Sequence, residues 1–286
     1  MDDLFDTDAS HTREGGSLRQ SYRIRSTDVD PAGRATTAAL VELLQEAAHA
    51  DANRLGVGIS DLMARGFSWY LKRLHVRLRR TPWIGEAVEV ETWPAAVEGL
   101  HAIRDYRLFL DGGIDAVEIG MASSAWLLMD VASKKPVRRP HEQLGALRPT
   151  TPRRALDVPF DKLPRMPDGD DSSPIVERPF PLRRADLDLN RHVNHGVIVE
   201  ALLEAVPSDL WCEAELLELE VDFMAEAKPG DSLVTRCRPC RESDPTGPED
   251  TQTRLLHDVI CAGDERELVR ARSRWVVEAP IRNVVE

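Results

Sequence analysis

Long apolar runs are scarce in this chain of 286 residues, and its 37 basic residues are outnumbered by 49 acidic ones. No apolar run approaches the ~18 residues that a membrane-spanning helix needs. Residues 1–17 hold five acidic residues and no apolar core, so they predict a disordered lead and neither a signal peptide nor an Arg-rich transit peptide. The net charge of −12 disfavours a nucleic acid as partner. With 42% hydrophobic and 30% charged residues, the composition is typical of a soluble globular protein.

Cysteine is also rare, with four residues in the chain. Cys237 and Cys240 form a single C-x-x-C without a second pair nearby, which is a weak signal for zinc or for redox chemistry. Cys212 and Cys261 lie in apolar surroundings, and we expect both to be reduced core residues. The sequence therefore predicts no metal and no other cofactor.

The densest polar group occupies residues 183–195, directly before an apolar run. Apolar and polar residues alternate here, so an extended backbone would project Asp188, Asn190 and His192 to one side. A plain turn is the alternative, because Asp and Asn are common turn formers and Asn194 is a good helix N-cap. A turn gives no reason for a histidine to share that face. The pattern therefore favours a catalytic cluster.

Residues 188–194, D-L-N-R-H-V-N, resemble the D-x-N-x-H-V-N signature of the acyl-acyl-carrier-protein thioesterases, enzymes of plant plastids and bacteria that release fatty acids. The similarity covers roughly residues 20–280 and includes residues 28–35, 74–76, 91–94 and 126–130. It implies an α+β fold, a tandem (double) hot-dog with two antiparallel sheets, each wrapped around a long helix. It also implies thioester hydrolysis, with acyl carrier protein as the partner that delivers the substrate.

A proline-rich stretch divides the chain. Residues 141–179 contain seven prolines after residue 148 and an acidic patch, so we expect a linker that holds neither a sheet ladder nor a helix interior. The expected organisation is a disordered lead at 1–17, an N-terminal hot-dog domain at 18–140, this linker, and a C-terminal hot-dog domain at 180–281.

An internal repeat supports two domains of one fold. Sliding the sequence by 158 residues aligns residues 28–30 with residues 186–188. Sliding by 145 aligns Gly85-Glu86 with Gly230-Asp231, and sliding by 149 aligns A-x-S-x-W at residues 122–126 with the same pattern at 271–275. The order is preserved and the offsets drift only by loop-sized amounts, so the pattern indicates a duplicated fold.

Local patterns predict the main elements. In the first copy, Thr36 or Thr37 can cap a helix that Gly56 ends. Strands are expected at residues 69–78, 87–92, 102–110 and 116–129. In the second copy, residues 194–206 are apolar nearly all round and predict a buried helix.

The repeat assigns the chemistry to the second copy. Asn190, His192 and Glu226 stand there where the first copy has Ala32, Arg34 and Thr81. Glu226 would ordinarily be read as a solvated residue at a strand end. The resemblance implies instead that it is the acidic catalytic residue, because the family's lies on this strand before the turn. Ala227 follows it where plant enzymes often have Cys, so a Cys-His-Asn triad is excluded.

The proposed chemistry is carboxylate-assisted attack on a thioester carbonyl. We expect Asp188 to act as base or nucleophile, Glu226 to orient His192, and Asn190 to hold the water or the carbonyl. Main-chain N–H groups at residues 193–196 could stabilise the oxyanion. The sequence does not separate the roles of the two carboxylates, and either could act directly on the substrate.

Two alternatives to this function stay open on the sequence. One is hydrolysis of acyl-CoA or of a carrier-bound polyketide on the same scaffold. The other is a non-catalytic acyl-binding protein, although such a protein has no need of the polar cluster. The absence of a plastid-targeting extension predicts a bacterial, cytoplasmic protein. The two copies would form a pseudo-dimer within one chain, and the protein could also form a homodimer.

Because carrier proteins are acidic, docking is expected to use local basic patches. One candidate group flanks the proposed site: Arg183, Arg184 and Arg191. The other alternates along one strand: Arg73, Arg77 and Arg79. A solvated basic face is the alternative for the strand group.

Overall fold

The computed structural model describes residues 11–12, 16–110, 116–145, 153–157, 160–167, 174–188, 192–240 and 252–277. The chain forms two compact units. The first comprises Met1–Leu71 and Arg79–Val158, and the second comprises Lys72–Leu78 and Pro159–Glu286. Each helix within the described residues is too short or too polar to span a membrane.

The first unit is an antiparallel sheet with one long helix. Its elements are β1 His11–Thr12, β2 Leu18–Arg23, α1 Thr37–Arg54, α2 Ile59–Ala64, the start of β3 Phe67–Leu78, β4 Ala87–Glu98, β5 His101–Leu110, β6 Val117–Asp130, β7 Lys135–Pro136 and α3 Pro140–Gln143. The strands pair in the order β1-β2-β4-β5-β6, and β7 pairs with β6. Helix α1 packs on β2 and β4.

The predicted limits of α1 are confirmed. Thr36 is the N-cap, since its hydroxyl accepts the main-chain N–H of Ala39, and Gly56 follows the helix with a φ of 68°. Leu40, Leu44 and Ala47 are buried along one side of the helix. The helical spacing of these residues therefore fixes the face that meets the sheet.

The second unit repeats this arrangement. Its elements are residues 72–78 of β3, β8 Val176–Pro181, α4 His195–Leu203, α5 Ser208–Glu213, β9 Ala214–Phe223, β10 Ser232–Pro239, β11 Gln252–Cys261 and β12 Glu267–Val277. The strands pair in the order β3-β9-β12-β11-β10-β8, and α4 packs on β10 and β11. Helix α4 is shorter than the predicted range, but its apolar side chains are buried as expected, among them Ile198, Val199 and Leu202.

Within its described residues, the proline-rich stretch makes specific contacts that the sequence does not predict. In the first unit, the Asp105 carboxylate accepts the Ala155 main-chain N–H at 2.7 Å and is ion-paired with Arg154. In the second unit, Leu163 and Met166 are buried. These contacts hold parts of the expected linker against the sheets.

One prediction about this stretch is wrong. Val176–Pro181 forms β8 and pairs with β10, although a stretch so rich in proline was expected to hold no sheet ladder. The reason is position: β8 lies at the edge of its sheet, where a strand needs hydrogen bonds on one side only. Pro179 can therefore lie in the strand.

The cysteines do not all lie where the sequence predicts. Cys261 is buried, but Cys212 is exposed, so the expectation of a core position for Cys212 is wrong. In α5, Trp211 packs towards Trp275 with ring centroids 6.1 Å apart, and Cys212 lies about 100° further round the helix. Burial raises the pKa of Cys237 to about 12, which disfavours a thiolate at that position.

The second unit contains a partly buried ionic cluster on β3 and β9. His75 Nε2 lies 2.7 Å from Glu218 Oε1, and Arg77 Nε lies 2.5 Å from the same oxygen. Burial alone would raise the pKa of Glu218, but the hydrogen bonds from His75 and Arg77 hold it well below its ordinary value of 4.5.

The position of the Glu218 pKa leads to a prediction for stability. Because the folded-state pKa is depressed, the stability from the Glu218 carboxylate is present above pH 4.5 and is lost as the pH falls below it. We expect the wild type to unfold at a higher urea midpoint than Glu218→Gln at neutral pH. This difference in midpoint, followed down to about pH 3, should shrink below pH 4.5. Glu98→Gln is the control, since Glu98 is 59% exposed. A difference in midpoint that stays constant with pH would contradict the lowered pKa of Glu218 in the folded protein.

Candidate active site

The loop that carries the motif, residues 188–192, is closed by hydrogen bonds between its two ends; it is called the motif loop below. The N–H of Asp188 donates to the carbonyl of His192 at 2.8 Å, and the N–H of His192 donates to Asp188 Oδ1 at 3.0 Å. These hydrogen bonds, and not the shared face of a strand, bring Asp188 and His192 together. Asn190 and Arg191 lie outside the described residues.

The carboxylate of Asp186 fixes the start of the loop. Its oxygens accept the main-chain N–H of Arg183 at 2.6 Å and lie 2.7 Å from Arg183 Nη2. Asp186 is almost fully buried, and burial alone would raise its pKa, but the hydrogen bonds from Arg183 hold the pKa below its ordinary value. The main-chain N–H of Asn194 donates to the carbonyl of Asp186 at 2.8 Å, which ties the far end of the loop to the same residue.

His192 contacts the second carboxylate of the predicted set. His192 Nε2 lies 3.3 Å from Glu226 Oε2, and the two side chains are 42% and 38% exposed. Glu226 belongs to the segment between β9 and β10, so two distant parts of the second unit meet here. The pair is accessible from solvent, as a group that acts on a substrate must be.

His195 adds an imidazole to which the sequence analysis assigns no role. It is the first residue of α4, and its ring meets the ring of Phe223 edge to face with centroids 4.9 Å apart. Burial lowers the pKa of His195 to about 4; the Asp188 carboxylate opposes this shift and His192 adds to it. A neutral imidazole therefore lies beside the cluster at neutral pH.

The start of α4 offers fewer oxyanion donors than the sequence suggests. The N–H of Gly196 donates to Asn194 Oδ1 at 2.8 Å, which makes Asn194 the predicted N-cap. The N–H of Asn194 is bonded to Asp186, as described above. Two of the four main-chain groups expected to serve the oxyanion thus already have partners.

The first copy contains the same loop with different chemistry. Asp30 Oδ1 accepts the main-chain N–H groups of Ala32 and Arg34, both at 2.9 Å, as Asp188 does for His192. The Arg34 guanidinium, however, forms an ion pair with Asp30 at 2.9 Å. An arginine therefore neutralises the carboxylate in the first copy, whereas in the second copy an imidazole stands at that position beside Glu226.

The basic residues considered for docking differ in their surroundings. Arg183 and Arg184 are exposed, although Arg183 is paired with Asp186. The members of the strand group each have a carboxylate partner: Arg73 with Asp222 at 3.0 Å, Arg77 with Glu218 at 2.5 Å and Arg79 with Glu118 at 3.3 Å.

One group within the described part of the chain has the spacing to hold a metal ion: His75, Glu218 and Glu220. Arginines already neutralise its carboxylates. Glu218 is paired with Arg77 and Arg274, and Glu220 with Arg272 at 2.8 Å. A cation would have to compete with three guanidinium groups, so the donor set does not fit a metal site.

Comparisons with known proteins identify the same family over both halves of the chain. The model of the acyl-ACP thioesterase N-terminal domain matches residues 15–146, and that of the C-terminal domain matches residues 170–276. An oleoyl-acyl carrier protein thioesterase from Arabidopsis thaliana is 26% identical over 93% of this chain and 78% of its own length.

Solved structures show the same fold. The 12:0-ACP thioesterase from Umbellularia californica superposes with a TM-score of 0.74 at 23% identity, covering 92% of this chain and 95% of its own. An acyl-ACP thioesterase from Bacteroides thetaiotaomicron gives 0.72 at 23% identity, covering 91% and 98%. These similarities confirm the predicted α+β hot-dog architecture.

The environment of His195 leads to a prediction about its protonation. Because burial lowers the pKa, we expect the imidazole to stay neutral at neutral pH and to take up a proton near pH 4. Imidazole nitrogen shifts followed by NMR would report this, with the signal assigned by its loss in His195→Phe. A midpoint near the ordinary value of 6.5 would contradict the burial of the ring.

Proposed function

The chain belongs to the acyl-ACP thioesterase family of thioester hydrolases, and we propose that its reaction takes place at Asp188, His192 and Glu226. The reaction hydrolyses the thioester of acyl-acyl-carrier protein, releases a free fatty acid and so ends chain elongation. The observation that carries the location of the site is the contact between His192 Nε2 and Glu226 Oε2, which has no counterpart at Arg34 and Thr81 of the first copy.

We propose that Asp188 is the base. Its carboxylate takes a proton from water while the water oxygen bonds to the thioester carbon, and collapse of the tetrahedral intermediate breaks the carbon–sulfur bond. His192, oriented by Glu226, gives a proton to the departing sulfur, and the proton taken up by Asp188 then passes to His192, which restores both groups. The carrier leaves as a free thiol and the acyl chain as a carboxylic acid. We assign Asn190 to the water or the carbonyl, on the sequence alone.

Asp188 has two tasks in this proposal, and one substitution separates them. Asp188→Asn keeps the Oδ1 that accepts the His192 N–H, so the loop should stay closed, but it removes the basic carboxylate. We expect kcat for release of free acid from acyl-ACP to fall by about 100-fold or more, because general-base catalysis typically contributes about 10²–10⁴-fold.

The first copy offers the matched control for this test. Asp30→Asn removes a carboxylate from the equivalent loop, so kcat should stay near that of the wild type. His192→Ala and Glu226→Gln should each lower kcat as well, with the thermal midpoint little changed because both side chains are partly exposed. Near-normal turnover of Asp188→Asn or His192→Ala would show that the reaction takes place elsewhere.

For carrier docking, we propose the group that flanks the site. Arg184 is exposed, whereas Arg73, Arg77 and Arg79 are each engaged by a carboxylate and so present less unbalanced charge to a partner. Arg183 is exposed too, but its contact with buried Asp186 also supports the motif loop. Arg184 is therefore the cleaner probe of docking.

The test of docking is Arg184→Glu. A charge at the rim of an interface acts mainly on encounter rate, and salt screens it over about 8 Å at physiological ionic strength. We expect kcat/KM for acyl-ACP to fall, with the difference from wild type narrowing at high salt, while hydrolysis of a small acyl thioester analogue changes little. Arg178→Glu, which makes the same change at an exposed position of β8, is the control. Equal loss on both substrates would assign Arg184 to the fold or the chemistry.

The cytoplasmic location expected from the sequence is also a proposal. All four cysteines have free thiols, and Cys212 is exposed among them. Exposed unpaired cysteines are typical of proteins in reducing compartments. This feature supports the proposed location.

A further inference from the structure

We propose that Arg266 is a positioning residue that sets the place of Glu226 through its main chain, an inference that rests on the proposed function of Glu226. Arg266 lies immediately before β12. Its Nη1 donates to the carbonyl oxygen of Glu226 at 2.7 Å, and its Nη2 lies 3.0 Å from Asp231 Oδ2. One guanidinium thus bridges two points of the segment that carries Glu226 between β9 and β10.

The guanidinium is itself held in place. Arg266 Nε lies 3.3 Å from Asp264 Oδ2, and the side chain is only 30% exposed. The Arg266 carbonyl accepts the main-chain N–H of Cys261 at 2.9 Å, which ties the residue to the end of β11. Because a guanidinium is planar and rigid, contacts on several of its N–H groups fix its orientation.

Main-chain bonds attach this segment to β12 in the second copy, and the equivalent segment of the first copy is attached to β6 in the same way. In the second copy, the N–H groups of Met224 and Ala225 donate to the carbonyl of Leu268 at 2.8 and 3.2 Å. In the first copy, the N–H groups of Arg79 and Arg80 donate to the carbonyl of Ile119 at 2.8 and 3.4 Å. The backbone connection is therefore a property of the fold and does not depend on the chemistry of either copy.

The arginine occurs only in the copy that has the carboxylate. Arg266 stands two residues before Leu268, and the residue two before Ile119 is Val117, which is 61% exposed. The first copy, with Thr81 in place of Glu226, thus forms the same connection without a guanidinium. Since the fold does not require Arg266, its bond to the Glu226 carbonyl points to a role in placing that residue.

The placement of Glu226 is sensitive to small movements. Glu226 Oε2 lies 3.3 Å from His192 Nε2, close to the limit of a useful hydrogen bond. A main-chain shift of about 1 Å would separate the two groups, and a misplacement of that size can cost about 100-fold in rate. Loss of the Arg266 contact should therefore lower the catalytic rate more than it affects substrate binding.

The experiment compares Arg266→Gln with wild type in full-length protein, using acyl-ACP as substrate. We expect kcat to fall about 10–100-fold with KM changed less than about two-fold, and Arg266→Lys to recover part of the loss, because an ammonium can reach the Glu226 carbonyl but cannot span both acceptors. In a Glu226→Gln background, measured in single turnover, Arg266→Gln should cause no further loss, since it acts through Glu226.

Arg272→Gln is the matched control. Arg272 has the same 30% exposure and pairs with Glu220 at 2.8 Å on the sheet, so its loss removes a similar ion pair and should leave kcat unchanged. If Arg266→Gln does not fold, the same comparison of kcat is made with Arg266→Lys in the wild-type and Glu226→Gln backgrounds.

Two results would overturn this inference while the proposed function stands. One is an inactive Glu226→Gln together with wild-type kcat in Arg266→Gln. The other is an equal loss from Arg266→Gln in both backgrounds, which would assign Arg266 a general structural role. Wild-type turnover of Glu226→Gln would remove both this inference and the role proposed for Glu226.

Discussion

The exchange of hydrogen bonds between Asp188 and His192 is the constraint on which the candidate site depends. It closes the loop, and Asp186 then ties both ends of the loop to Arg183 and to the start of α4. Most of these bonds use main-chain groups, so they do not specify which side chain stands at position 192. A backbone built in this way can present an imidazole or a guanidinium with equal ease.

The first unit illustrates this freedom. Its loop is closed by Asp30 just as the second is closed by Asp188, yet Arg34 neutralises the carboxylate there. The difference in chemistry between the copies therefore resides in side chains, among them Arg34 against His192, Thr81 against Glu226 and Ala32 against Asn190. Each position can change without disturbing the sheet, which explains how two units of one fold can differ in chemistry.

Features encoded over short distances were predictable from the sequence. The helical spacing of Leu40, Leu44 and Ala47, with Thr36 before and Gly56 after, fixed α1 to within a residue. The pattern of residues 69–78 predicted a strand, and its alternate residues Leu74, Val76 and Leu78 are buried. These elements could be predicted because the residues that determine each of them, including its caps, lie within one short stretch of sequence.

Features that depend on distant partners were not predictable in this way. Asp188 and His192 are brought together by hydrogen bonds between them, whereas the alternating pattern of residues suggested an extended chain. No spacing rule connects Arg266 to Glu226, which lies 40 residues earlier. The contact between Glu226 and His192 could be anticipated only through resemblance to a family, because the two residues meet through the packing of separate segments.

The edge strand β8 has a consequence for self-association. Pro179 and Pro181 occupy alternate positions, opposite Val234 and Ser232 of β10, and neither has an N–H to offer. An incoming strand would find gaps in the row of donors that it needs, so this border of the sheet is a poor template for intermolecular β-pairing. The prolines that the edge position of β8 tolerates thus also disfavour aggregation along that border.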